Sequence, residues 1–144
     1  MELGNNKEKK INYILIIASV AYIIVLLVLT LLTREVGEAY QYKTELFWSY
    51  REYLATGNDR LGIQMIGNVV VFIPWGVIVP LTFKRMKFKE SICSAFLFSV
   101  GIEVTQLLLK CGLFEFDDVF HNTLGAILGY GLYVFVRRWI RKTI

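Results

Sequence analysis

Cysteine, proline and charge are all scarce in this 144-residue chain: it has two Cys, two Pro and only 19% Asp, Glu, Lys and Arg. Cys93 and Cys111 stand 18 residues apart, near opposite ends of one apolar run, which on a helix is roughly 27 Å. No intrachain disulfide closes that distance, so a small fold stapled by disulfides is excluded. Histidine occurs once. No metal-ligand spacing, P-loop, GxSxG or dinucleotide fingerprint is present, so no metal and no cofactor are expected. Charged content lies below the roughly 25% of soluble domains, while the hydrophobic content of 56% exceeds their roughly 45–50%. A soluble globular domain and a disordered chain are both excluded.

What is there is a set of four long apolar runs, which give a mean hydropathy of +0.52. Ile11–Leu32 is 22 residues without a charge, and a helix needs about 20 to cross a hydrocarbon core of roughly 30 Å. Leu61–Phe83 is uncharged but contains Gln64, Asn68, Pro74 and Pro80; Pro74 is expected to kink it. Ser91–Leu109 carries one ionisable residue, Glu103. Val119–Val136 is apolar apart from His121, Asn122 and Thr123. The fold class expected is an all-α membrane protein of four transmembrane helices, one domain over residues 1–144. A cleaved signal peptide is the competing reading of the first run. Eleven further uncharged residues follow Ala21, beyond the usual apolar region of a signal, so the span is expected to be retained.

Net charge is +4 and the isoelectric point about 9.1, yet the basic residues follow topology rather than forming a nucleic-acid patch. Eleven of the sixteen Lys and Arg lie before span 1, between spans 2 and 3, or after span 4. The other side holds Arg34, Lys43, Arg51, Arg60 and Lys110 among eight acidic residues. Basic excess marks the cytoplasmic face, which places both termini inside. No nucleic-acid partner is expected.

Polar groups inside spans are costly, so their positions carry information. Glu103 lies six residues before the outer end of span 3, roughly 9 Å down, and Asn68 lies seven residues into span 2, roughly 10 Å down. Asn122 is about one turn into span 4. Glu103, Gln106 and Lys110 share one helical face, as do Asp118, Asn122, Gly125 and Gly129, and Gln64 with Asn68. These spacings predict one polar cluster in the outer third of the membrane, open to the outside. Its expected ligand-binding residues are Asn68, Glu103, Gln106, Asp118 and Asn122. Each has a plainer reading: the amides as interhelical hydrogen-bond glue, and Asp117 and Asp118 as helix caps. His121 points to another face. The Gly125-xxx-Gly129 spacing admits close approach of another helix, in this chain or in a homo-oligomer.

The segment Thr33–Arg60, 28 residues, contains Phe47, Tyr50 and Leu54 at helical spacing. It is expected to form a short amphipathic helix on the outer surface, anchored by aromatics at the headgroups.

Several strings resemble the VanZ-like family. They are Gly67-Asn68-Val-Val-Val-Phe72-Ile73-Pro74-Trp75-Gly76 with Pro80, Glu103-x-x-Gln106, and Glu115-x-Asp117-Asp118-Val119-x-x-Asn122-Thr-x-Gly125-Ala-x-x-Gly129-Tyr130. Phe47-Trp-Ser-Tyr50-Arg51 is similar as well, and the likeness runs from about residue 44 to 131. One departure is that Cys111, next to Lys110, stands where that family is expected to have Arg. Any anion contact made there would pass to Lys110, whose ammonium lacks the planar guanidinium fork.

The resemblance implies a bacterial cytoplasmic-membrane protein associated with resistance to teicoplanin and lipoglycopeptides. Its implied partners are membrane lipids, a lipid-linked cell-wall precursor or the glycopeptide itself. Binding without catalysis is the first expectation. The alternative is an intramembrane enzyme that modifies an outer-leaflet lipid, with Glu103 and Asp117 or Asp118 as candidate catalytic acid and base. A transporter would need to oligomerise, four spans being few for a pathway.

Overall fold

The computed structural model describes residues 2–32, 36–84 and 86–143. Four helices are long and apolar enough to cross a membrane: Lys9–Leu32, Asp59–Thr82, Phe88–Leu109 and Phe116–Thr143. The chain is a multi-pass α-helical membrane protein. In a bilayer core every backbone N–H and C=O must be satisfied within the chain, which a helix does by itself.

The first span is α1 (Glu2–Leu27), ending in a π-helical turn, Val28–Leu32. A short strand β1 (Gln41–Lys43) and a nine-residue helix α2 (Trp48–Thr56) follow, then α3 (Asp59–Thr82) and α4 (Phe88–Leu109). A second strand, β2 (Leu113–Glu115), leads directly into α5 (Phe116–Thr143). The helices begin at or before the residues expected, and α5 runs beyond Val136 because its last turns are polar but still helical. α3 is assigned as one continuous helix through Pro74 and Pro80.

Local sequence explains the ends. Gly57 adopts φ +63 and donates its N–H to Tyr53 O, closing α2. The Asn58 side chain then accepts from Arg60 N–H at 3.1 Å and opens α3, as an N-cap should. Glu90 reaches back to the Lys87 N–H at the start of α4. Asp117 and Asp118 lie in the first turn of α5, and Arg141 and Lys142 in its last, matching the helix dipole at both ends.

The tightest packing joins α3 to α5. A Cβ on Gly129 would lie 2.0 Å from the Ile73 carbonyl oxygen, and one on Gly125 would lie 2.1 Å from that of Val69. Gly76 answers from α3, against Ala126 and Tyr130. The two helices therefore touch backbone to backbone, and the small-residue stripe is filled inside the chain. α4 packs on α5, and α1 joins through Tyr22, whose hydroxyl donates to Val71 O at 2.8 Å. Phe72, Trp75, Ala95, Ile102, Ala126 and Leu26 form the apolar core. Large apolar side chains elsewhere face outward, among them Ile17, Leu108 and Phe135, each 68% exposed. Such a surface suits lipid rather than water.

The strands make the one sheet among the described residues, a parallel pair with Gln41 opposite Leu113, Tyr42 opposite Phe114 and Lys43 opposite Glu115. Sequence periodicity did not anticipate them. With α2 they form a layer over one end of the bundle, here the strand end; the opposite, basic end carries Lys84, Lys87 and Arg137–Lys142.

Candidate functional site

Beneath that layer, α4 presents Ser99, Glu103 and Gln106 on one face, and all three are buried. After Leu109 the chain turns at Lys110, which takes a left-handed φ of 54. The Cys111 N–H returns to Gln106 O, so the chain doubles back along the end of α4. That reversal carries β2 inward, and the Glu115 N–H donates to Glu103 Oε2 at 3.0 Å. Glu115 is itself 3% exposed. Across from it, the amide nitrogen of Gln64 lies 3.4 Å from both carboxylate oxygens of Glu115 and from both of Asp118. Distances of 3.4 Å are long for hydrogen bonds, so Gln64 bridges the two acids loosely. Three carboxyl groups, from α4, β2 and α5, thus share one covered space beside α3.

The other expected residues distribute around this group. Asn122 Nδ2 donates to Ser99 Oγ at 2.8 Å, tying α5 to α4. Gln106 turns toward α1 and donates to Thr30 O at 2.8 Å; Thr30 lies in the terminal π turn, where carbonyls lack helical donors. Asn68 is half-buried, one turn along α3 from Gln64. Asn68 Nδ2 and Gln106 Oε1 have no hydrogen-bond partner among the described residues. The five residues are therefore not one hydrogen-bonded set, and the group is covered rather than open. Glu103 is 2% and Asp118 4% exposed, because β2 folds inward instead of looping away.

Asp117 does something different from its neighbour. Its carboxylate accepts the Phe47 N–H, the Ser49 N–H at 2.9 Å and the Ser49 hydroxyl at 2.6 Å. It caps α2, not its own helix, and is occupied there rather than beside Glu103. This bond also holds Phe47, whose φ of 60 is unusual for a bulky residue; its ring packs on Phe120. With Ser49 turned inward, Tyr50 and Leu54 stay exposed, as does much of Phe47. Of the stripe expected of this segment, Tyr50 and Leu54 thus face away from the bundle, while the Phe47 ring meets α5. Lys110 lies on the same layer, donating to Glu38 O and sitting 4.8 Å from the Tyr40 ring, while Cys111 is buried. His121 is half-buried against Phe120. Among the described residues no group of three or more His, Cys, Asp and Glu has an arrangement that could hold a metal ion.

Sequence reasoning passed over Glu115 and Ser99. Glu115 reads as a loop acid between two spans; the turn-forming Lys-Cys-Gly before Leu-Phe-Glu was the available sign that the loop re-enters. Ser99 stands four residues before Glu103 on the same face, a small polar residue easily counted as apolar lining.

The sequence model of the VanZ/LLP1 family matches residues 19–137. The chain belongs to that family. Protein VanZ of Enterococcus faecium is 36% identical over 81 residues, which is 56% of this chain. The match spans about half of that relative, 48% of its length. No solved structure matches the chain. In this VanZ/LLP1 member the family strings coincide with the geometry just described. Gly76, Gly125 and Gly129 are the α3–α5 contact, Glu103, Glu115 and Asp118 are the acids gathered beside α3, and the equally buried Asp117 holds α2.

Proposed function

We propose that this VanZ/LLP1 protein lies in the bacterial cytoplasmic membrane with both termini cytoplasmic, and acts at the outer leaflet in tolerance to teicoplanin and lipoglycopeptides. It does so by binding the headgroup of a lipid-linked cell-wall precursor, or the lipidated drug, at the strand end. The placement rests on the distribution of Lys and Arg. The binding role rests on one observation: Asn68 Nδ2 and Gln106 Oε1 lack partners among the described residues, one helical turn from Gln64 and Glu103. Buried polar atoms in native folds are nearly always satisfied, and a ligand would complete these two. Asn68, Glu103, Gln106, Asp118 and Asn122 remain the proposed binding residues, with Gln64 and Glu115 added. The carboxyl oxygens and Gln106 Oε1 are acceptors, so the site suits sugar hydroxyls, peptide amides or ammonium groups. The exposed Tyr40, Tyr42 and Tyr50 of the overlying layer meet the ligand first.

The test is teicoplanin susceptibility of a sensitive Gram-positive host expressing wild type or Glu103→Gln at matched membrane levels, with vancomycin, which lacks the lipid tail, in parallel. Protection by wild type that disappears with Glu103→Gln supports the reading. Absence of protection by wild type removes the resistance role.

The gathering of Glu103, Glu115 and Asp118 favours a second reading, an intramembrane enzyme using Glu103 and Asp118 as acid and base on an outer-leaflet lipid. Asp117, held by Ser49, is the weaker candidate. Turnover of labelled polyprenyl-linked substrates by purified protein would support it, and intact substrates would count against it.

A further inference from the structure

At the basic end, α3 and α5 enclose a groove of about 510 Å³, within the range of small-molecule sites. It lies beyond the Gly76–Gly129 contact, at the opposite end of these helices from the buried acids. Val77, Leu81, Leu132 and Val136 give it an apolar lining. Lys84, Arg137 and Arg141 also line it, and none of the described lining residues is acidic. Arg137 is held in place by Tyr133, donating to its hydroxyl at 2.8 Å with the guanidinium 5.8 Å from the ring. The carboxyl ends of α3 and α5 lie at this level, each worth roughly half a negative charge. Three full positive charges outweigh them.

An apolar trough rimmed by cations, between helices at a membrane boundary, is complementary to one kind of molecule. It would take an acyl chain along its length and a phosphodiester at its mouth. A peptide or a second copy of α1 would satisfy the trough but leave the three cations without a counter-charge. We propose that this groove is a binding site for an anionic phospholipid of the leaflet that meets the basic end. Its phosphate contacts Lys84, Arg137 and Arg141, and one chain lies against Leu132 and Val136. This site is separate from the acid group and stands whether or not the strand end binds an envelope precursor.

Purified full-length chain in mild detergent is titrated with phosphatidylglycerol or phosphatidylcholine, and retained lipid is counted by native mass spectrometry. Retention of one phosphatidylglycerol in preference to phosphatidylcholine is expected. Lys84→Gln/Arg137→Gln/Arg141→Gln should weaken it by about fivefold per removed charge, the scale for basic groups at an anionic membrane surface. Lys10→Gln/Arg138→Gln/Lys142→Gln removes the same charge away from the groove and should retain the lipid. Val136→Trp fills the trough at unchanged charge and should lose it, which decides the matter if the triple groove variant does not fold. Equal retention of the two lipids, equal loss in both triple variants, undiminished binding in Val136→Trp, or a dimer in place of bound lipid would each overturn the proposal.

Discussion

The carboxylate of Asp117 receives the hydroxyl of Ser49 at 2.6 Å and its backbone N–H at 2.9 Å, across 68 residues of sequence. An acid at the start of the last span thereby anchors the surface helix that precedes the second. Asp117→Ala should release α2 while leaving the four spans assembled. The loss is on the order of 1–3 kcal/mol for stranding buried donors, and Ser49→Ala, which removes one bond, should cost about 1 kcal/mol. Hydrogen exchange of the α2 amides checks this: they should exchange faster in Asp117→Ala, with α3 and α5 amides unchanged. Unaltered α2 protection would show that the tether is dispensable.

Glycine substitutions should separate by position. Gly129→Ala and Gly125→Ala place a methyl group 2.0–2.1 Å from a backbone carbonyl of α3, so the helices must part. A cost of about 1–3 kcal/mol or more is expected. Gly101 and Gly131 have nothing within 4 Å, and Ala there should be neutral or stabilising by roughly 0.5–1 kcal/mol, the glycine penalty in helices. Thermal unfolding in detergent reads the difference. Equal stability of all four variants would refute the backbone contact.

Glu103 has a structural and a chemical side that two variants distinguish. Glu103→Gln keeps an acceptor for the Glu115 N–H, whereas Glu103→Ala strands that buried donor at a cost of about 1–3 kcal/mol. Melting temperature should fall clearly in Glu103→Ala and little in Glu103→Gln. If both melt alike, the Glu103–Glu115 bond contributes nothing to stability.

Orientation is open to direct labelling. In a Cys93→Ser/Cys111→Ala background, Glu52→Cys on α2 should react with a membrane-impermeant maleimide in intact protoplasts. Lys142→Cys should react only after permeabilisation. The reverse pattern would invert the topology proposed from the basic residues.

The four spans were legible in the amino-acid sequence because lipid demands about 20 apolar residues per crossing; Leu61–Phe83 became Asp59–Thr82 with little change. Glu103 was legible for the same reason, a lone acid in an apolar run. The stripe of Gly125 and Gly129 announced a close helix contact, but spacing cannot name a partner. Only the fold shows that Ile73 and Val69 of α3 fill it. The division of labour between Asp117 and Asp118 was also beyond reach. Adjacent helical residues project about 100° apart, so one faces α2 and the other Gln64, and neither target is near in sequence. Glu115 entered the buried group through a turn at Lys110, a backbone choice with no signature in hydropathy. Readable from residue order alone is what a bilayer imposes on each segment separately: length, apolarity and the side on which basic residues gather. Which polar groups meet, and which are left without partners, was decided by tertiary packing, because those bonds form between segments whose separation along the chain carries no information about distance.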